Sequence, residues 1–329
     1  MHMQRRVLIT GGSGFVGGRL IQRMKSEGWE VSALARSADA ERKVAALGAL
    51  PVSGDLDDPA ALRLATQGCS AVIHVAALFK LWGKPDEFER ANVEGTRNLL
   101  NAAAAAGTVR RFVQVGAAAV VMGDMEPMRR VTESLPLQER EWAPYSASKA
   151  RAEALALAAN RAGIFETLVV RPPMIWGRGM PTLDHMVDNV RAGQFRWVGD
   201  GSQAMSTAHV DNVCHAAALA LERGVGGEAY FVSDGRDSTL REVISALLRT
   251  RGVEPPRATV PLPMAWAMAG LMEWVWRIFS RAGEPPITRQ MLRLIGQPFT
   301  TDISKAQRGL GYQPVISWEQ GIAEMAQRA

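Results

Sequence analysis

Tyr145 and Lys149 stand four residues apart in Tyr145-Ser146-Ala147-Ser148-Lys149, near the start of a helical pattern. That spacing puts a phenol and an ammonium on one helix face, a single turn apart. A phenol with a pKa near ~10 is a poor base at neutral pH. An adjacent ammonium and an oxidised nicotinamide favour phenolate, so Tyr145 is expected to exchange a proton with a substrate oxygen while hydride moves to or from the cofactor. Lys149 is expected to reach the nicotinamide ribose as well.

The other end of the chain offers a place for such a cofactor. Val7-Leu8-Ile9-Thr10-Gly11-Gly12-Ser13-Gly14-Phe15-Val16-Gly17 is a short β-branched run, a glycine loop and the opening of a helix, with apolar residues at Phe15, Val16, Leu20, Ile21 and Met24. Gly11 permits the turn, Gly14 lets backbone amides approach a pyrophosphate, and Gly17 lets the helix pack close to the sheet. Phosphate charge then meets a helix N-terminus. The GxxGxxG spacing and the absence of GxxxxGK[ST] give no support to a P-loop nucleotidase.

At the end of the second strand, Glu30 to Ala35, an acidic residue would hold the ribose hydroxyls of NAD, but the chain reads Ala35-Arg36-Ser37. Arg36 with Ser37 is either a 2′-phosphate clamp favouring NADP(H), with NAD(H) still admissible, or a solvated surface charge. Asp55, after a strand at Leu50 to Ser53, either accepts from the adenine amino group or caps a helix. Ala76 and Ala77, after a strand at Ala71 to Val75, let a flat ring lie against the backbone. Phe15, Val16, Leu56 and Pro172 complete the expected cofactor contacts. His74, inside its strand, reads as a core histidine. No metal site is expected.

Strands at Arg111 to Val115 and Thr167 to Arg171 bring the count to six, separated by helices that include Glu87 to Ala106 and Ser146 to Ala159. The pattern predicts an α/β fold, a doubly wound parallel Rossmann sheet with right-handed crossovers and a smaller, mostly helical C-terminal cap. Residues 1–173 and 207–233 are expected to form the dinucleotide domain, the latter as a helix from Thr207 to Glu222 and a strand from Ala229 to Val232. Residues 174–206 and 234–329 are expected to form the substrate cap. The two alanine-rich helices either cover the sheet or pair across a two-fold axis into a homodimer, and both roles are compatible.

In the cap, Pro261 to Phe279 holds three tryptophans and repeated methionines, interrupted by Glu273 and Arg277. Its unbroken apolar part is too short to span a bilayer. It is a packed lid or core helix, or an interfacial helix that makes peripheral membrane contact and collects a lipid-like substrate. Trp82, Ala118, Trp176, Met180, His185 and Trp197 are further pocket candidates.

The 329 residues carry 38 Lys and Arg against 33 Asp and Glu, a net charge of +5 with no basic block of the kind that binds nucleic acid. Cys69 and Cys214 lie far apart in apolar stretches and read as buried thiols. The first strand is expected to begin after six residues, and no signal peptide is expected. The expected location is the cytoplasm.

The glycine loop, Asp55 and the Tyr145/Lys149 pair together resemble an extended short-chain dehydrogenase/reductase of the epimerase/dehydratase superfamily. Ala91-Asn92-Val93-Glu94-Gly95-Thr96, Arg171-Pro172-Pro173-Met174-Ile175-Trp176-Gly177, His209-Val210-Asp211-Asn212-Val213 and the C-terminal Asp302-Ile303-Ser304-Lys305-Ala306, Leu310-Gly311-Tyr312 and Pro314 are similar to its 3β-hydroxysteroid dehydrogenase branch. The resemblance runs nearly end to end. It implies an oxidoreductase interconverting a hydroxyl and a ketone on a small apolar, sterol-like or long-chain 3-oxo substrate.

One departure stands out. The family places a Ser or Thr just after strand five to hydrogen-bond the reacting oxygen, yet Phe112 to Val131 contains neither, and Gly116-Ala117-Ala118-Ala119 occupies the place. Loss of one such donor costs about 2.7–4 kcal/mol, or ~100–1000-fold in rate, unless water, Gln114 or a substrate group replaces it. The rival expectations are a nucleotide-sugar epimerase or dehydratase, with Arg178, Arg191 and Arg196 facing the nucleotide, and an impaired NADP-binding sensor or scaffold.

Overall fold

The computed structural model describes residues 5–279, 281 and 283–327. The N-terminal half alternates strand and helix: β1 (Arg6–Thr10), α1 (Phe15–Ser26), β2 (Glu30–Ala35), α2 (Ala38–Ala46), β3 (Leu50–Ser53), α3 (Pro59–Thr66), β4 (Ala71–His74) and α4 (Pro85–Phe88). A π-helical segment, Glu89–Glu94, runs straight into α5 (Gly95–Ala105). Then come β5 (Arg111–Val115), a 3₁₀ turn at Ala118–Val121, β6 (Met128–Val131), α6 (Pro144–Ala158) and β7 (Glu166–Arg171). The remainder holds β8 (Met174–Trp176), α7 (Pro181–Arg191), β9 (Trp197–Val198), β10 (Ala204–His209), α8 (Val210–Arg223), β11 (Ala229–Phe231), β12 (Asp237–Thr239) and α9 (Leu240–Arg249). It ends with β13 (Thr259–Val260), α10 (Leu262–Ile278), α11 (Arg289–Ile295), β14 (Phe299–Thr301), α12 (Ser304–Leu310) and α13 (Trp318–Ala326).

Seven strands pair in parallel in the order β11-β7-β5-β4-β1-β2-β3, the doubly wound sheet that the sequence predicts, with Ala229–Phe231 as its seventh strand. Both faces are buried. Val7, Ile9, Val113 and Val115 pack in one apolar layer with α1 and α8, and Leu8, Val72, Phe112 and Val169 in another with α3, α5 and α6. Continuous apolar strands of this kind are what a parallel sheet covered on both sides requires.

Three elements differ from expectation. Thr207–His209 ends strand β10, paired with Met174–Trp176, and helix α8 starts only at Val210, where the His209 ring accepts from the Asp211 amide. The helix expected at Glu87 starts at Pro85 and contains the π turn, and the one expected at Ser146 starts at Pro144, whose missing N–H costs nothing at a first helical turn. The C-terminal region is mostly helical, and short strands between its helices add a further feature. A second sheet, β12-β10-β14-β6 with β8 beside β10, joins strands from well-separated parts of the chain.

Candidate active site

Because the main strands are parallel, the loops after β1, β2, β3, β4, β5 and β7 emerge at one edge of the sheet. That edge is where open α/β sheets bind ligands. It gathers the glycine loop, Arg36, Asp55, Leu56, Ala76, Ala77, Ala118 and Pro172.

The loop geometry fits a dinucleotide. Gly11 has φ of 73°, and a Cβ there would sit 2.8 Å from the Ala76 amide nitrogen. A Cβ on Gly17 would strike the Gly11 carbonyl oxygen. Gly14 caps α1 with no side chain and no acid in the first turn. The amides at Phe15 and Val16 therefore face outward as orphan donors beside a positive helix end.

A chain of hydrogen bonds holds this loop against the one after β4. The Thr96 hydroxyl donates to the Asn92 carbonyl (2.6 Å) and so accepts from His74 Nε2 (2.9 Å). His74 Nδ1 then accepts from the Thr10 hydroxyl (2.7 Å), whose oxygen takes the amides of Val75 and Ala76, each at 3.2 Å. His74 is thus a satisfied core histidine, and burial with nearby Lys149 pushes its pKa down to about 3.

Arg36 is exposed directly after β2, and the Thr10↔Leu34 register sets it beside the glycine loop. Ser37 caps α2 by accepting from Ala40, so its hydroxyl already has a local task. Asp55 takes the Leu56 amide at 2.8 Å and is otherwise exposed; the cap of α3 is Asp58.

Tyr145 is half-buried in the first turn of α6, edge-on to Phe79 with ring centroids 5.0 Å apart. Burial pushes its pKa up to about 12. Lys149 is buried and donates to the Val115 carbonyl at 3.0 Å, which fixes α6 along the end of β5. Burial lowers its pKa to about 8 against the opposing pull of Glu153. One turn further, Glu153 is fully buried and accepts from Arg171 Nε at 2.7 Å and from its Nη2.

The place of the absent Ser or Thr is filled by apolar packing. Ala118 is 1% exposed, clusters with Ala150 of α6 and Phe231, and gives its amide to the Pro172 carbonyl at 2.8 Å. The Gly116 amide goes to Val170. Nearby side chains are also engaged: Ser148 donates to the Tyr145 carbonyl and accepts from Asn92, and Ser146 accepts from Gln290 of α11. Gln114 is buried opposite His74, one residue before the end of β5.

The other pocket candidates divide. Trp82 is half-buried under the Arg277 guanidinium at 5.3 Å, on the loop beside Phe79. Trp176 and Trp197 are core residues. Trp176 donates to Asp234 and packs on His209 and Trp318, and Trp197 donates to the Pro256 carbonyl. Met180 is buried with them, and His185 is exposed on α7. Trp176, Met180 and Trp197 belong to an apolar cluster around β10 and α9, against which Phe15 of the glycine loop also packs.

Two features of the site escaped residue-type reasoning. Asn92, on the π segment, ties Leu78 to Ser148 through its side-chain amide and so links the loop after β4 to the turn carrying Tyr145. The buried Glu153–Arg171 pair joins α6 to β7. Both lie in or beside conspicuous motifs, but a motif does not state its contacts.

Fold and site together define an NAD(P)-dependent oxidoreductase of the extended short-chain type. The chain belongs to the 3-beta hydroxysteroid dehydrogenase/isomerase family, whose pattern matches residues 8–264. It is 41% identical over 323 residues, covering 98% of this chain and 96% of the relative, to a 4-hydroxy-2-methyl-3-oxo-4-farnesyl-3,4-dihydroquinoline-1-oxide ketoreductase of Stigmatella aurantiaca. It is 34% identical to a 2-alkyl-3-oxoalkanoate reductase of Stenotrophomonas maltophilia, covering 97% and 98% of the two chains. Among solved structures, a dTDP-glucose 4,6-dehydratase of Streptomyces venezuelae with bound NAD superposes with a TM-score of 0.76 at 26% identity, covering 98% of this chain and 95% of that one.

Proposed function

We propose that this protein is an NADP(H)-preferring ketoreductase, working on the ketone and hydroxyl pair of an apolar sterol-like or long-chain 3-oxo substrate with Tyr145 as the acid/base. The observation that carries this reading is the environment of Tyr145. A phenol raised to about 12 by burial is protonated at neutral pH, which suits it to donate a proton to a ketone oxygen. Both curated relatives named above reduce 3-oxo compounds that carry farnesyl or alkyl groups. Phe79 and Trp82, on the loop beside Tyr145, supply apolar surface for such a chain.

Gly11, Gly14, Gly17 and the first amides of α1 would hold the pyrophosphate, Arg36 the 2′-phosphate and Asp55 the adenine. The nicotinamide, when bound, supplies or accepts the hydride. Lys149 would hold the ribose and keep positive charge near Tyr145, anchored by Val115 and neighboured by Glu153. With Gly116 and Ala118 amides committed, the reacting oxygen would be met chiefly by Tyr145. A cytoplasmic setting and a homodimer built on α5 and α6 complete the proposal.

The test is NADPH oxidation or NADP⁺ reduction by the purified protein with 3-oxo and 3-hydroxy steroids and long-chain 3-oxo acids, beside Tyr145→Phe. Turnover that falls at least ~100-fold in the variant supports the reading. Tight cofactor binding with no turnover of any member would overturn it in favour of a nucleotide-sugar substrate or a sensor.

A further inference from the structure

Helix α10 turns its polar residue inward and its large apolar residues outward. Ala265, Ala269 and Glu273 form its buried face. Glu273 is 2% exposed and accepts from the Arg289 backbone amide and guanidinium, so the carboxylate is fully engaged. On the opposite side Met264, Met268, Leu271, Trp274 and Ile278 recur at intervals of four, three, three and four, which is one helix face. They are 42–62% exposed, and Phe279 extends the row at 67%. An apolar stripe of this length on a free surface marks an interaction site.

The chemistry around the stripe selects its partner. No carboxylate lies on the outward face of α10. Arg277 and Arg281 stand at its C-terminal end, both exposed, stacked over Trp82 and Trp276 at 5.3 and 5.2 Å. Lys84 is exposed on the loop that carries Trp82, and Glu284 is the acid of the segment beyond the helix. A second copy of the helix laid on the stripe would offer these cations no acid from its own outward face. A surface of anionic headgroups over acyl chains would satisfy both the cations and the stripe. No described helix is long and apolar enough to cross a membrane, and α10, at ~1.5 Å per residue about 25 Å long, is suited to lie in the interface plane.

We propose that the outward face of α10 is a docking surface for an anionic lipid bilayer. The inner side of the same helix borders the candidate site. Trp266 packs edge-on to Trp142, three residues before Tyr145, and Arg277 covers Trp82. Docking would therefore keep the loop of Phe79 and Trp82 beside the docked helix. Collection of a lipid-dissolved substrate there rests on the ketoreductase reading, whereas the docking itself does not.

The experiment is co-sedimentation of the full chain with vesicles of phosphatidylcholine alone and of phosphatidylcholine with phosphatidylglycerol. It compares wild type with Leu271→Glu/Trp274→Glu and Arg277→Gln/Arg281→Gln, and follows thermal midpoint and solution mass. Wild type should pellet with the phosphatidylglycerol vesicles, and the double Glu variant should lose at least about ten-fold in binding at an unchanged midpoint. The double Gln variant should lose the preference for phosphatidylglycerol. Wild type left in the supernatant with both vesicles would overturn the proposal. So would equal binding by the double Glu variant, or a wild-type dimer that this variant splits without any vesicle binding. Because the readout is binding, a failure here leaves the ketoreductase reading standing, and absence of turnover leaves the docking standing.

Discussion

Ala118→Ser should make this protein a faster reductase. Phe112 belongs to the apolar layer beneath α6, whereas Val113 and Val115 belong to the opposite layer, so even-numbered positions of β5 face Tyr145's helix. Ala117 is extended, with φ of −156° and ψ of 140°, which carries the alternation on to Ala118. Ala118, clustered with Ala150 immediately after Lys149, is therefore the position from which a hydroxyl would reach the reacting oxygen. One donor aimed at a developing oxyanion is worth about 2.7–4 kcal/mol, so kcat should rise by ~100–1000-fold if that donor limits the reaction. The substitution also has a cost. Ala118 is 1% exposed and the Pro172 carbonyl beside it is already taken, so an unpartnered hydroxyl would remove about 1–3 kcal/mol of stability. The assay is NADPH absorbance with a 2-alkyl-3-oxo acid, run beside a thermal melt, with Ala117→Ser as the control that should gain little. A folded Ala118→Ser protein with kcat within about two-fold of wild type would refute the reasoning and assign the role to substrate or water.

Arg36→Ala should weaken NADP(H) far more than NAD(H), by about ten-fold or more in Kd, because only the 2′-phosphate loses a partner; equal weakening of both would remove the clamp. Arg171→Met should cost about 3–5 kcal/mol in urea unfolding, since it strands the buried Glu153 carboxylate, while Glu153→Leu/Arg171→Met should recover most of it. A double variant no more stable than the single one would mean that packing, not charge, is lost. Reduction should decline as pH rises through about 8, where the buried Lys149 loses its proton, and Lys149→Arg should move that limb upward. The same group affects stability with the opposite sign. Its folded pKa lies below the usual 10.5, so between about 8 and 10.5 the unfolded chain holds the extra proton and the Lys149 contribution to stability improves with pH. A rate profile flat to pH 10 would contradict the lysine assignment.

The parallel sheet, the glycine loop and the Tyr145/Lys149 pair are legible from residue order alone, because each is a local pattern: β-branched runs, glycines where a Cβ cannot fit, and a fixed helical spacing. Residue order also exposed the absence of a hydroxyl after strand five, which no fold could supply from within Phe112 to Val131. Tertiary structure decided what depends on contacts between distant segments. Trp176 and Trp197 look like pocket residues by type, and only the packing of β10, α9 and α13 shows them sealed in a core. Asn92 and Ser148 are 56 residues apart, and Glu153 and Arg171 become a pair only when α6 lies on β7. The character of α10 was undetermined for the same reason. Composition fixed how apolar it is, but the face it turns outward depends on where Glu273 finds Arg289, and that partner is set by the fold.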